Sequence, residues 1–273
     1  MKKALKFSIL FPFMLWLVML IIIPLFLIVW YAFTDKTGGI TLDNFISFMN
    51  PDFIRILLRS LYLSLIATVV CLLLGYPVAL ILAGDTFKKK TLLMILLVAP
   101  MWMNFLLRTY AWLTLLEGSG VINTILKAMG MERVVFLGNE SAVVFGMVYN
   151  FMPYMIFPIY NSIMKIPKNI LEAASDLGGN SFIRFAKIIL PLSVPGIVSG
   201  VTMVFVPGVT TFVISQFLGS GNIVLIGDII EQQFTKANNW GFGAAISIIV
   251  MLVVLICMWL VNKFSDEPEV SMP

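Results

Sequence analysis

The chain has 273 residues, 60% of them hydrophobic and only 12% charged. A soluble domain carries about twice that density of charge, so the surplus apolar surface must meet lipid rather than water. The chain has no histidine, which excludes histidine metal sites, histidine general bases and Ser-His-Asp triads, and its net charge of +4 comes without the Lys/Arg clusters interleaved with aromatics that would point to nucleic acid.

Lys2, Lys3 and Lys6 precede an apolar run from Phe7 to Phe33. The run is too long for the apolar region of a signal peptide and no small-x-small cleavage site follows it, so it reads as a retained first helix. Further runs go from Leu61 to Ala83, Leu92 to Leu116, Ala142 to Met164, Leu192 to Leu218, and Phe242 to Phe264. Each is long enough to cross about 30 Å of hydrocarbon at about 1.5 Å per helical residue. The expected fold class is therefore all-α, a polytopic membrane protein of six transmembrane helices forming one domain over residues 1–273. No internal repeat or long linker divides it. Cys71 and Cys257 sit far apart within apolar runs and read as core thiols.

Basic residues set the orientation. With the N-terminus in the cytoplasm, the inner segments hold Lys2, Lys3, Lys6, the cluster Lys88-Lys89-Lys90, Lys165, Lys168, Arg184, Lys187 and Lys263. The outer segments hold Lys36, Arg55, Arg59, Lys127, Arg133 and Lys236. The bias predicts both termini inside. The outer loops are richer in acids, which reads as solvated surface or as a mildly anionic outer mouth.

In the third span Trp102 and Asn104 lie near mid-depth, with Arg108 and Tyr110 further out; in the fourth, Tyr149, Asn150 and Tyr154 lie near mid-depth. Aromatic faces and amide oxygens at one depth would suit a weak site for an organic cation, or they pack between helices. Arg108 would repel a polycation. An intramembrane arginine pairs or snorkels, so it is expected to pair with a loop acid or to line an outer gate. In the fifth span Pro207 lies near the centre and frees the carbonyl of Met203. This is a packing kink or a pathway-lining hinge, and the small residues Gly196, Ser199, Gly200, Thr202, Thr210 and Thr211 keep that helix slim. Asp228 and Glu231, one turn apart, are candidate partners for Arg108 or outer-gate ligands.

The inner loop from Pro167 to Pro191 differs from the rest. Pro167 suits the first turn of a helix. Ile170, Leu171 and Ala174 keep helical spacing, and Gly178 or Gly179 stops that helix. Asn180 or Ser181 can cap a second short helix through Lys187. Pro191 marks entry into the next span. Glu172 and Asp176 share a face that could meet basic residues of a partner, while Ala173 and Ala174 allow close approach.

Glu172-Ala173-Ala174, three residues, Gly178, nine residues, Ile188, one residue, then Leu190-Pro191 resembles the EAA loop of ABC importer permeases in type and spacing. The resemblance implies a MetI-like permease fold. It also implies that the loop at about 165–190 is a pair of coupling helices docking on a cytoplasmic ATPase. Asp176 joins the coupling set by its place beside Glu172. The chain has no GxxxxGK[ST] phosphate-cradling loop. ATP and Mg are therefore expected in a partner ATPase, with no cofactor, no metal and no catalytic residue in this chain.

Beyond the loop, the chain is similar to the permeases of spermidine/putrescine importers. The stretches are Leu74-Gly75-Tyr76-Pro77, Ala99 to Asn104 with Arg108 and Tyr110, Tyr149 with Pro153 and Pro158, Leu225-Ile226-Gly227 with Gln233-Phe234, and Trp240 with Phe242-Gly243-Ala244-Ala245. The resemblance covers all but the first helix and the C-terminal tail. It implies polyamine import across a bacterial inner membrane, with a second homologous permease, two ATPase copies and a periplasmic or lipid-anchored polyamine-binding protein. Related permeases carry thiamine, iron or oxyanions on the same scaffold. An ATP-independent channel or secondary transporter would need buried relay charges, and apart from Arg108 the sequence offers none. A membrane scaffold would need neither Glu172 nor Gly178.

Overall fold

The computed structural model describes residues 11–35, 38–84 and 90–263. Lys2, Lys3, Lys6, Lys36, Lys88 and Lys89, which carry much of the orientation argument, lie outside them. Among the described residues the protein is helical, with one isolated antiparallel bridge between Thr34 and Ile40.

Five continuous helices are long and apolar enough to cross a membrane: α1 (Phe11–Ala32), α3 (Pro51–Ala83), α7 (Glu140–Met164), α9 (Ser181–Thr210) and α12 (Trp240–Lys263). Between them lie the short helices α2 (Asp43–Phe48), α8 (Lys168–Asp176), α10 (Val213–Leu218) and α11 (Ile226–Thr235). The sixth span is broken. Here α4 (Lys90–Val98) tightens into a 3₁₀ turn at Ala99–Trp102, and the chain resumes as α5 (Phe105–Leu116) and α6 (Val121–Ala128) after a bend of 91°.

Three expectations need correction. The third span is not a straight helix from Leu92 to Leu116. Met103 is extended, and the Asn104 side chain accepts from the amides of Leu106 (2.8 Å) and Leu107 (3.4 Å), starting a new helix. The second span begins at Pro51 rather than Leu61. Proline suits a first helical turn and Asp52 favours the positive end of the helix, so α3 runs for 33 residues, about 50 Å. The fifth span does not run from Leu192 to Leu218. It begins at Ser181, continues through a π turn at Phe185–Ile189, and stops at Thr210; Thr211 is extended before α10 starts. The wider π turn admits Pro191, which has no amide to donate, without a break. Pro207 consequently lies three residues from the helix end rather than at its centre.

The chain forms two compact units. The first comprises residues up to Arg55 together with Ile229–Leu255. Its core is Ala32, Ala244 and Ala245, covered by Ile28, Phe45, Phe234 and Ile248. The Asn44 amide donates to the carbonyls of Ala32 (3.1 Å) and Thr34 (3.2 Å), fixing the turn after α1. The outer surface of α1 is exposed nearly throughout, as a lipid-facing helix requires.

The second unit comprises Ile56–Asp228 and Ile256 onward. Its core is built on α3, α7 and α9. The buried positions of α3, including Ser60, Leu63, Ser64, Ala67, Cys71, Gly75 and Ala79, recur every three or four residues and form one face. On α9, a Cβ on Gly196 would meet the Pro158 carbonyl at 2.6 Å, and one on Gly200 would meet Met155 Sδ at 2.7 Å. Small residues therefore let α7 and α9 pack backbone to backbone, where dispersion rather than water release holds helices together. Ser199 and Thr202, read as part of the same slim face, are exposed and half-buried respectively. An ion pair from Arg59 Nε to Glu140 Oε1 (2.8 Å) ties α3 to α7.

Candidate functional site

The loop between α7 and α9 is built from local signals. Pro167 precedes α8 as its N-cap rather than sitting in its first turn. α8 ends in a Schellman turn: Gly178 donates to the Ser175 carbonyl (2.9 Å) and Gly179 to the Ala174 carbonyl (2.8 Å). Gly178 takes φ +79°, a region that side chains disfavour. Gly179 is needed for another reason, because a Cβ there would lie 2.5 Å from the Ala174 oxygen. The Asn180 side chain then accepts from the Ile183 amide (2.8 Å) and starts α9.

Arg184 clamps this turn, with Nη1 donating to Ser175 Oγ (2.9 Å) and Nη2 to Ser181 Oγ (3.2 Å). Behind it, Phe185 packs edge-on to Tyr76 (5.8 Å), and the Tyr76 hydroxyl is hydrogen-bonded to Ser193 Oγ (2.8 Å). The loop is thus tied to α3 as well as to the helices it connects.

Of the coupling residues read from the sequence, Glu172, Ala173 and Asp176 are exposed on α8, Ala174 is half-buried beside the turn, and Gly178 forms its apex. Ile188 lies in the π turn and Leu190 and Pro191 follow it. The sequence reading passed over two residues. Leu177 is 90% exposed and Phe182 74% exposed, standing on either side of the glycine turn. An apolar residue immediately before the glycine pair and another just after the Asn180 cap was the available signal. Both leave apolar side chains open on a polar loop.

The pathway residues divide. Trp102 is 80% exposed at the bend, and Tyr110 is exposed with its ring edge-on to Phe217 (6.0 Å). Tyr154 is also exposed. Tyr149 instead packs against Trp112 (5.2 Å), and Asn150 is buried with its amide donating to the Gly146 carbonyl (2.9 Å). Asn104 is occupied as the cap of α5. The sequence reading expects Arg108 to pair with a loop acid or to line an outer gate. Its Nη1 donates instead to the Pro100 carbonyl (2.9 Å), back across the bend, and the residue is only 6% exposed. Asp228 is buried at the start of α11, its Oδ2 accepting from the Leu225 amide (2.8 Å). Glu231 accepts from the Thr235 hydroxyl (2.8 Å) one turn later. No group of three or more His, Cys, Asp or Glu side chains fit to hold a metal occurs among the described residues.

The family described as "Binding-protein-dependent transport system inner membrane component" matches residues 5–266. The spermidine/putrescine transport system permease protein PotB of Haemophilus influenzae is 37% identical over 263 residues, covering 92% of each chain. PotB of Escherichia coli is 38% identical over 265 residues, covering 92% of this chain and 96% of that one. Among solved structures, a chain of a bacterial alginate ABC transporter, crystallised with an alginate pentasaccharide-bound periplasmic protein, superposes with a TM-score of 0.83 at 19% identity, covering 97% of this chain and 95% of that one.

Proposed function

The chain belongs to the family of binding-protein-dependent transport system inner membrane components, and from that premise we propose that it carries polyamines of the spermidine/putrescine class across a bacterial inner membrane. It is a multi-pass permease subunit of an ABC importer, not itself catalytic, and it works with a substrate-binding protein and an ATPase.

The observation that carries the polyamine reading is the identity of 37–38% to two polyamine permeases over nearly the whole length of all three chains. The chemistry of the chain is compatible with it. Trp102, Tyr110 and Tyr154 present exposed aromatic faces, which attract ammonium groups. Arg108 is buried and donates to the Pro100 carbonyl, a neutral acceptor that leaves its charge in place, so a cationic cargo must pass clear of it.

In this reading Glu172, Ala173, Ala174, Asp176 and Gly178 form the docking face for the ATPase, with Leu177 and Phe182 as its apolar contacts. Ile188, Leu190 and Pro191 transmit its movement into α9. The whole chain works as one permease domain with both termini in the cytoplasm. It pairs with a second homologous permease above two ATPase copies, which hold ATP and Mg, and a periplasmic or lipid-anchored polyamine-binding protein delivers the cargo. High affinity resides in that protein, since tight binding within the membrane would oppose release.

The test is ATP hydrolysis by the complete complex in lipid, measured with binding protein loaded in turn with spermidine, putrescine, thiamine and an oxyanion. Stimulation by polyamine alone is the expected result. Stimulation by another ligand only would overturn the substrate, and hydrolysis indifferent to this subunit would overturn its role.

A further inference from the structure

A cavity of about 360 Å³ lies between the loop and the membrane helices, lined by the end of α3, the start of α4, the end of α7, α8 and the start of α9. Its lining is chemically mixed. It combines the basic side chains of Lys90, Lys168 and Arg184 with the apolar ones of Leu80, Ile163 and Met164. Among the described residues Glu172 also lines it, one carboxylate beside three cations.

Arg184 has donors beyond those its clamp uses. Nη1 and Nη2 bond to Ser175 and Ser181, while its buried Nε has no hydrogen-bond partner among the described residues. The Nε is closed off from the cavity, but Nη1 and Nη2 each keep one further N–H, and phosphate oxygens are acceptors that such a fork matches well. The apolar lining from the ends of α3 and α7 lies where spanning helices leave the hydrocarbon. A free phosphate has no use for such a lining; a phospholipid has.

We propose that this cavity binds the phosphate headgroup of an anionic phospholipid of the cytoplasmic leaflet. Lys90, Lys168 and Arg184 hold the phosphate, and the glycerol and upper acyl chain lie against Leu80 and Ile163. The lipid supports α8 from the cavity side, while Ala173, Asp176 and Gly178, which do not line the cavity, meet the ATPase. The placement in the cytoplasmic leaflet rests on the reading of this loop as the coupling loop.

The test uses the complete complex, stripped of lipid in detergent and titrated with phosphatidylglycerol, phosphatidylcholine or inorganic phosphate, with adducts counted by native mass spectrometry. Phosphatidylglycerol is expected to be retained on this subunit in preference to phosphatidylcholine and to resist competition by inorganic phosphate. Lys90→Gln and Lys168→Gln should each weaken its retention about fivefold, the weight of one basic residue beside an anionic surface, while the complex stays assembled. Equal retention of the two lipids, or wild-type retention in both variants, would overturn the site. Displacement by inorganic phosphate at matched concentration would overturn the lipid as its occupant. Failure of the ATPase to co-purify with wild-type protein would count against the coupling role and leave the lipid titration interpretable, so the two ideas fail separately.

Discussion

The amide of Gly179 donates to the carbonyl of Ala174 at 2.8 Å, and a Cβ on Gly179 would lie 2.5 Å from that same oxygen. The alanine of the loop motif and the second glycine are therefore halves of one turn. Gly178, by contrast, has nothing within 4 Å of the place its Cβ would occupy, and only its φ of +79° restricts it. Asparagine tolerates that backbone region, whereas a β-branched residue pays about 1–2 kcal/mol or more. Gly178→Asn should retain ATPase co-purification, Gly178→Val should reduce it, and Gly179→Ala should reduce it despite adding a single methyl. Equal behaviour of Gly178→Asn and Gly179→Ala would sink the turn as the determinant.

Leu177 and Phe182 flank that turn with 90% and 74% of their surfaces exposed. They contribute little to the fold of the isolated chain, so truncation should leave its thermal unfolding unchanged. Covering such side chains on a partner is worth about 1.5–3 kcal/mol each. Leu177→Ala and Phe182→Ala should therefore each weaken ATPase association by about tenfold or more, measured by titrating purified ATPase onto permease in nanodiscs. A lowered unfolding temperature with unchanged association would assign them to the fold instead.

The spans were legible because hydropathy records contact with lipid whatever the tertiary arrangement. The loop was legible because Gly178-Gly179 and Asn180 act on their own neighbours: a left-handed apex and a side-chain cap need nothing distant. The bend in the third span was not. Asn104 is a single polar residue among apolar ones, and window averaging dissolves it, although it is a strong cap. Once that span turns by 91°, positions counted along a straight helix no longer report depth, so the grouping of Trp102 and Asn104 with Tyr149, Asn150 and Tyr154 lost its geometric basis. The start of α3 was hidden differently: Arg55 and Arg59 look like loop residues, yet Arg59 stays helical and pairs with Glu140 across the unit. Such pairing depends on residues far away in sequence.

Asn104 and Arg108 hold the bend from opposite sides, one capping α5 and the other reaching back to Pro100. Asn104→Ser preserves the cap and should transport normally, while Asn104→Leu should lose about 1 kcal/mol of stability. If the Asn104 amide met cargo, serine would instead raise the concentration needed for half-maximal uptake. Arg108→Met removes a charged donor from the half-buried Pro100 carbonyl and should cost about 1.5–3 kcal/mol. Thermal unfolding of the purified complex, read beside radiolabelled spermidine uptake, separates the two roles.

Gly196 and Gly200 test whether α7 and α9 must meet at their backbones. An added Cβ at 196 faces the Pro158 carbonyl at 2.6 Å and Ser162 Cβ at 2.5 Å; the carbonyl is backbone and cannot swing aside. At 200 the nearest atom is Met155 Sδ at 2.7 Å, the end of a flexible side chain, although the Met155 carbonyl follows at 3.1 Å. Overpacking of this kind costs about 1–3 kcal/mol. Gly196→Ala should sit at the upper end of that range and Gly200→Ala lower. Met155→Ala should partly rescue Gly200→Ala and leave Gly196→Ala unrescued. Unfolding midpoints of the four variants in one detergent provide the measurement. Rescue of both by the same methionine change would mean that α7 and α9 part as a unit, and that neither carbonyl contact limits their approach.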